Sequence, residues 1–297
     1  MKRLKVNHRT VYRYRRPVSF GEHRLMLRPR DSHDFRYVDG SLTLSPPATL
    51  RWMHDVFGNS IAIAEFEGES NELRIESTVL VDHYVSDEVL PHYPIEDYAR
   101  TLPFTYQPAE QPDLASSIAR HYSDPSHKVD LWAKQFLNAS GPTDTQQFLF
   151  DLTRAINAQF KYEVREEEGV QTPVETLARG AGSCRDFALL MMEAVRSLGL
   201  AARFVSGYIY DPVLDGVNGE KKGSGWPHAW VQVYLPGAGW LEFDPTNGII
   251  GGSNLIRVAV ARDPSQALPV TGTYSGSPED FVDLTVNVTV HAMNVTL

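Results

Sequence analysis

The chain has one cysteine, Cys184, in the stretch "GAGSCRDFALLMMEAVRSLG". Phe187, Leu190, Met191, Ala194, Val195 and Leu198 follow the three-and-four spacing of a buried helix face. Cys184 lies three residues before Phe187, so it falls on that face in the first turn. Ser183 is placed as the N-cap, and Asp186 three residues later completes a capping box. Gly180 and Gly182 let backbone approach closely in front of the helix. A helix N-terminus carries partial positive charge and unpaired amides, which favour a thiolate and can hold a developing oxyanion. The ordinary alternative for a lone cysteine is a small core residue.

A thiolate nucleophile needs a base, and the base needs a group to orient it. The chain has ten histidines, so placement matters more than presence. His228 opens the alternating stretch "HAWVQVYL", and Asp244 closes the next one, "GWLEFDPTN". The "PGAG" between them reads as a hairpin connection, which makes the two strands antiparallel neighbours. The start of the first strand then lies beside the end of the second. His228 and Asp244 are expected side by side at a sheet edge, facing Cys184 on its helix. Taken alone, Asp244 reads more readily as a turn-forming Asp-Pro.

Other residues have plainer readings. Arg185 could steer an acidic substrate, but a helix arginine is more often solvated. Asp186 is explained by capping. Phe160 and Tyr162 in "QFKYEV" end the preceding helix and are candidates for the cleft wall. Trp226, Trp230 and Trp240 flank the His–Asp hairpin; packing is the default for them, with Trp226 the candidate cleft residue. "DPVLD" and "DGVNGE" do not fit an EF-hand loop, so calcium dependence is not expected. His8, His23 and His54 lack metal-ligand spacing.

The elements that must position these groups are also legible. Residues 1 to about 85 alternate in short β-rich runs, among them "LKVNHRTVYRYRRPV", with Leu4, Val6, His8 and Thr10 on one face, and "SLTLS", "SIAIAEF" and "ELRIESTVLVDHY". They predict an antiparallel sandwich or barrel-like region. Residues 86–112 are proline-rich and read as a connector, and 113–297 as a separate core. Within that core, Phe148, Leu152, Ile156 and Phe160 form a helical stripe behind a Thr143-to-Gln146 capping box. "TPVETLARG" is a short helix capped by Thr172 and stopped by Gly180. Beyond Gly199 the period returns to two, down to the terminal "DLTVNVTVHAM". Helices followed by strands predict an α+β fold.

"GSCRDFALLMMEAVRSLGLAARFVSGY" and "HAWVQVYLPGAGWLEFDPTNG", in that order, resemble the transglutaminase-like core of the papain-like cysteine superfamily. "YRYRRPVSFGEHRLMLRPR" and "HDVFGNS" resemble the β-rich N-terminal region found ahead of this core in bacterial members. The resemblance implies a Cys-bearing helix packed on an antiparallel sheet. It also implies Cys184 as acyl-accepting nucleophile, His228 as base and then acid, and Asp244 as the orienting group. Pro227 departs from the small or acidic residue that many relatives carry before this histidine. The expected activity is cysteine-dependent amide hydrolysis or acyl transfer on a peptide or protein substrate, through a thioester and without a cofactor. A thiol acyltransferase of another type and a non-catalytic binding module that retains the fold are the alternatives. The Cys184 amide is one oxyanion donor; the second is unassigned.

The bulk composition limits the partners. With 28 basic and 37 acidic residues the formal charge is −9, which argues against a nucleic acid or an anionic membrane surface. Hydrophobic residues make up 42% and charged residues 22%, as in soluble globular proteins. "MKRLKVNHRT" has no apolar stretch behind its basic pair, and no run approaches the ~18 apolar residues of a membrane helix. One cysteine forms no intrachain disulfide. The expectation is a cytoplasmic protein.

Overall fold

The computed structural model describes residues 1–84, 93–165, 169–211 and 225–293. Two antiparallel sheets form the N-terminal part. The longest strand, β1 (Lys2–Phe20), pairs along one edge with β6 (Glu69–His83), which in turn pairs with β3 (Phe35–Ser45). The second sheet joins β2 (His23–Leu25), β5 (Ser60–Phe66) and β4 (Ala48–His54). Leu4, Val6, His8 and Thr10 are buried on one face of β1, as the period of two requires. Tyr14, Phe20, Leu25, Ala62, Ala64, Leu73 and Ile75 fill the space between the sheets. The arrangement is the expected sandwich.

The second part is organised around one helix. Its helices are α1 (Gln111–Ile118), α2 (Lys128–Lys134), α3 (Thr145–Gln159), α4 (Pro173–Arg179) and α5 (Cys184–Ser197). α5 packs on a sheet in the order β14 (Ile249–Ile250), β13 (Gly239–Asp244), β12 (His228–Leu235), β11 (Ala202–Ile209) and β15 (Leu255–Ala261). α2, α3 and α4 cover its other sides. Phe187, Leu190, Met191, Ala194 and Val195 are buried as their spacing predicts, but so are Leu189, Met192, Glu193 and Arg196. The helix is therefore buried all round. Its polar residues are tolerated there because they pair: Arg196 Nη1 donates to Glu193 Oε1 at 3.0 Å, and Arg120 Nε to Glu193 Oε2 at 3.3 Å.

Capping chemistry sets the helix starts. Thr172 and Glu175 form the expected capping box ahead of Pro173, and Gly180 ends α4 with φ of 61°. The expected Thr143-to-Gln146 box is not formed. α3 is capped by Asp144, whose Oδ1 accepts from the Gln147 amide at 2.7 Å, while Thr143 Oγ1 accepts from the Asn138 amide. The helix starts late enough that the stronger Asp cap is used instead. α1 and α2 are short and carry no sustained stripe, which is why periodicity does not announce them. In the expected connector, Asp97–Ala99 is a 3-10 turn and Pro112 lies in the first turn of α1; residues 85–92 lie outside the described residues.

One boundary is corrected. The period of two marks 281–293 as a strand, and the sequence reading assigns it to the core. Instead β18 (Phe281–Met293) runs antiparallel along the free edge of β1, from Arg3↔Met293 to Tyr14↔Phe281. β16 (Val270–Thr271) joins β2, and β17 (Tyr274–Ser275) joins the far end of β1. The physical reason is the length of β1: its 19 residues leave an edge that must be covered. The first and last described strands thus share one sheet.

A close approach at Gly207 holds the core sheet together. It pairs with His228 across β11 and β12. A Cβ there would sit 2.1 Å from the Ile256 carbonyl oxygen and 2.7 Å from the Trp230 ring. Gly207→Ala is therefore expected to destabilise the protein by about 1–3 kcal/mol through overpacking. Urea denaturation checks this, and an unchanged midpoint would contradict the tight packing of Trp230.

Candidate active site

Two short strands set the nucleophile. β9 (Lys161–Tyr162) pairs in parallel with β10 (Ala181–Gly182), so the segment before Cys184 is held by backbone bonds: Lys161 N donates to Gly180 O and Glu163 N to Gly182 O, both at 2.9 Å. Ser183 then caps α5. Its backbone N–H and its hydroxyl both donate to Asp186 Oδ2 at 2.8 Å. Asp186 is fully buried, and its other oxygen accepts from the Gln171 amide at 2.7 Å and from Arg165 Nη1 at 2.9 Å. The capping role read from the sequence is seen, with an ion pair added. Gly182 is tight for the same reason, since a Cβ would lie 2.9 Å from that of Asp186.

The hairpin delivers the other two groups as expected. β12 and β13 pair from Val231↔Phe243 to Leu235↔Gly239, which places His228 and Asp244 together where the ladder ends. His228 Nε2 donates to Asp244 Oδ2 at 2.8 Å, and both side chains are fully buried. Asp244 is itself held by an Asx-type turn. Its Oδ1 accepts from the Thr246 amide at 2.9 Å and the Asn247 amide at 3.3 Å, and its Oδ2 from Asn247 Nδ2 at 2.9 Å. Asn247 is a positioning residue that sequence reasoning missed; an Asx turn three residues past the aspartate was the available signal. Trp230 stacks on His228, ring centroids 6.0 Å apart and planes at 27°.

The electrostatics follow from this burial. Burial alone would push the His228 imidazole down. The Asp244 charge and hydrogen bond, with Cys184 adding to them, hold it at about 10. At neutral pH the ring is an imidazolium. Its Nδ1 is buried with no hydrogen-bond partner among the described residues, and Cys184, which lines the same cleft, adds to the upward shift of the ring. Burial opposes the Asp244 charge, but His228, Asn247 and the Thr246 amide outweigh it and hold that carboxyl below its usual range.

A cleft of about 320 Å³ opens over Cys184 and His228. Tyr162 lines it as expected, whereas Phe160 does not; Phe160 packs against Phe187 and Trp132 in the core. Burial, and then the charges of Cys184 and Asp244, push the Tyr162 phenol above its usual range, so it stays protonated. Trp226 and Pro227 stand on the rim, Trp226 being 46% exposed. Trp240 lies away from the cleft, under Arg203. Arg185 lines the cleft but is neither solvated nor free: its Nη2 donates to the Pro264 carbonyl at 3.0 Å and its guanidinium lies over Phe204. "DGVNGE" lies outside the described residues. Among the described residues no three His, Cys, Asp or Glu side chains gather as a metal site, and no helix is long and apolar enough to cross a membrane.

The opposite wall comes from the N-terminal part. His8, Thr10 and Tyr12 of β1 and Leu284 and Val286 of β18 line the cleft with Leu268 and Val270. His8 Nδ1 bonds the Tyr208 hydroxyl and Nε2 the Thr10 hydroxyl, each at 2.9 Å. Burial lowers His8 to about 4, so it is neutral.

Comparison with known proteins identifies related sequences and a shared fold. The bacterial transglutaminase-like N-terminal region matches residues 4–82, and the transglutaminase-like superfamily model matches residues 132–245. An uncharacterized protein of Mycobacterium tuberculosis is 30% identical over 304 residues, covering 96% of this chain and 92% of its own. One from Mycobacterium leprae is 27% identical over 293 residues, covering 97% and 99%. The crystal structure of a candidate cysteine protease from Cytophaga hutchinsonii shares the fold, with a TM-score of 0.72 at 18% identity over 100% of this chain and 92% of that one.

The His228–Asp244 pair gives stability a defined pH dependence. His228 is raised above its ordinary value of 6.5, so its contribution is complete below that pH and is lost as pH rises through about 10. Asp244 is depressed, so its contribution is present above its ordinary value and lost as pH falls towards its lowered one. The free energy of unfolding should therefore decline between about pH 6.5 and 10 more steeply than in His228→Gln. Parallel urea titrations of the two proteins would expose equal slopes if the imidazole is not held charged.

Proposed function

The chain belongs to the transglutaminase-like superfamily, with the bacterial N-terminal region ahead of its core, and on that footing we propose a cysteine-dependent enzyme that cleaves or transfers the acyl group of a peptide or protein amide. The observation that carries this reading is the placing of Cys184, on the first residue of α5, against a buried His228–Asp244 pair at an open cleft. A binding module would have no use for a charged imidazole buried there at the cost of desolvation.

The steps follow from the groups. The imidazolium of His228 pairs with the Cys184 thiolate, which attacks the substrate carbonyl carbon and forms a C–S bond. Negative charge moves to the carbonyl oxygen. The Cys184 amide at the helix N-terminus is one donor to that oxygen, and the Tyr162 hydroxyl, protonated and without a hydrogen-bond partner among the described residues, is the second. His228 Nδ1–H then protonates the departing amine as the C–N bond breaks, leaving a thioester. Water, deprotonated by the now neutral His228, resolves it to the acid; an amine acceptor resolves it to a new amide. Asp244 stays ionised throughout and holds the ring. Val164, Trp226, Leu268, Val270, Leu284 and Val286 make the cleft walls apolar, which favours an apolar side chain beside the scissile amide.

Iodoacetamide alkylation tests the activated pair directly. Native Cys184 should react well below the ~8.5 of an ordinary thiol, and His228→Ala should lose that low-pH reactivity; identical ordinary profiles would defeat the reading. With an apolar peptide p-nitroanilide as acyl donor, Tyr162→Phe should acylate roughly 10²–10³-fold more slowly while its alkylation profile is retained. Addition of hydroxylamine separates transfer from hydrolysis by the hydroxamate formed.

A further inference from the structure

A second and larger cavity, about 520 Å³, lies away from the cleft and shares no lining residue with it. It is bounded by residues 30–34 of the N-terminal part, by β11, β12 and β13, and by residues 250–253. Three guanidinium groups converge on it: Arg30, Arg203 and Arg257.

The carboxylates nearby are already committed. Arg257 Nη1 donates to Glu242 Oε1 at 2.5 Å and its Nη2 to Asp34 Oδ1 at 2.9 Å, so one arginine engages both acids. Asp31 is exposed and accepts from the Tyr37 amide. Asp55 attracts Arg30 but bonds the Phe57 and Asn59 amides and Asn59 Nδ2. Among the described residues, Arg30 and Arg203 bond to no carboxylate. Arg30 Nη1 donates to the Phe57 carbonyl at 2.6 Å and to Asn59 Oδ1 at 2.8 Å. Arg203 uses only Nε, to Gln232 Oε1 at 2.7 Å, with its guanidinium lying 4.0 Å over the Trp240 ring. The two outer nitrogens of Arg203 have no hydrogen-bond partner among the described residues.

Such a group is expensive to keep. Burial, reinforced by the charges of Arg30 and Arg257, lowers Arg203 to about 9. A planar guanidinium with both outer nitrogens free presents two parallel donors matched to a carboxylate or phosphate. Trp240 holds that plane rigid from below, and Tyr93 and Ile250 offer apolar wall for a carbon skeleton.

We propose that this cavity binds a small oxyanion, a carboxylate- or phosphate-bearing molecule, between Arg203 and Arg30. Gln232 and Glu242 stand two residues along their strands from Trp230 and Asp244, so the bound anion sits behind the catalytic hairpin without entering the cleft.

Thermal unfolding of the full chain, at fixed ionic strength set with chloride, tests this with inorganic phosphate and with succinate as probes. Either probe should raise the midpoint saturably. Arg203→Gln and Arg30→Gln should each weaken half-saturation by about tenfold, the loss expected for a charge-assisted hydrogen bond. A response to phosphate alone, or to succinate alone, identifies the headgroup. If neither probe stabilises the protein beyond chloride, the cavity is not an anion site. Full affinity in Arg203→Gln also overturns the proposal. Should Arg203→Gln fail to fold for want of its stack on Trp240, full affinity in Arg30→Gln overturns it alone. Cys184 alkylation, read in parallel, reports whether the variants keep the catalytic hairpin intact.

Discussion

Everything around the site answers to the hydrogen bond between His228 and Asp244. Two groups with full charges are kept out of water, and such a pair persists only where each remaining lone pair and proton finds a partner. The Asx turn at Thr246 and Asn247 supplies those partners for the carboxylate and Trp230 supplies one face for the ring, while His228 Nδ1 is left unpartnered beside the cleft that Cys184 also lines. Gly207 lacks a side chain so that Trp230 can lie where it does. The same economy governs α5. A helix sunk on every side has no solvent for its ends or its charges, so Ser183 and Asp186 close the front and Glu193, Arg196 and Arg120 neutralise one another behind.

The β-rich N-terminal part is more than a neighbour of this core. It forms one wall of the cleft, through β1 and β18, and His8 joins that wall to Tyr208 of β11 by a bond between two uncharged groups. The cleft is thus lined partly by the sandwich, while Cys184, His228 and Asp244 all lie on the core.

What could be read from the amino-acid sequence was what is local. Ser183, Cys184 and Asp186 lie within one turn; Thr172 and Glu175 make a cap three residues apart; His228 and Asp244 are related by a single hairpin. In each case spacing alone implies geometry. The failures share the opposite property. "DLTVNVTVHAM" alternates correctly, but a period of two says nothing about which sheet receives the strand, and β1 is some 280 residues away. The burial of Glu193 and Arg196 depends on Arg120 and on carbonyls of distant segments. Arg30, Arg203 and Arg257 meet across three regions of the chain, and although Arg30 and Arg203 fall within stretches that carry the family resemblance, no spacing joins the three. Asp144 took the cap of α3 from Thr143 because two adjacent residues could both serve and the backbone chose between them.

The pairing of Val6 with Val290 also orders events in time. A chain made from its N-terminus carries β1 with one edge bare until residues 281–293 emerge, although Cys184, His228 and Asp244 have by then been synthesised. Leu284 and Val286 are among the last wall residues to appear. A contact of such sequence separation forms late, so the cleft has no complete wall during synthesis. Cys184 is thereby kept without a finished cleft around it while the chain is still being made.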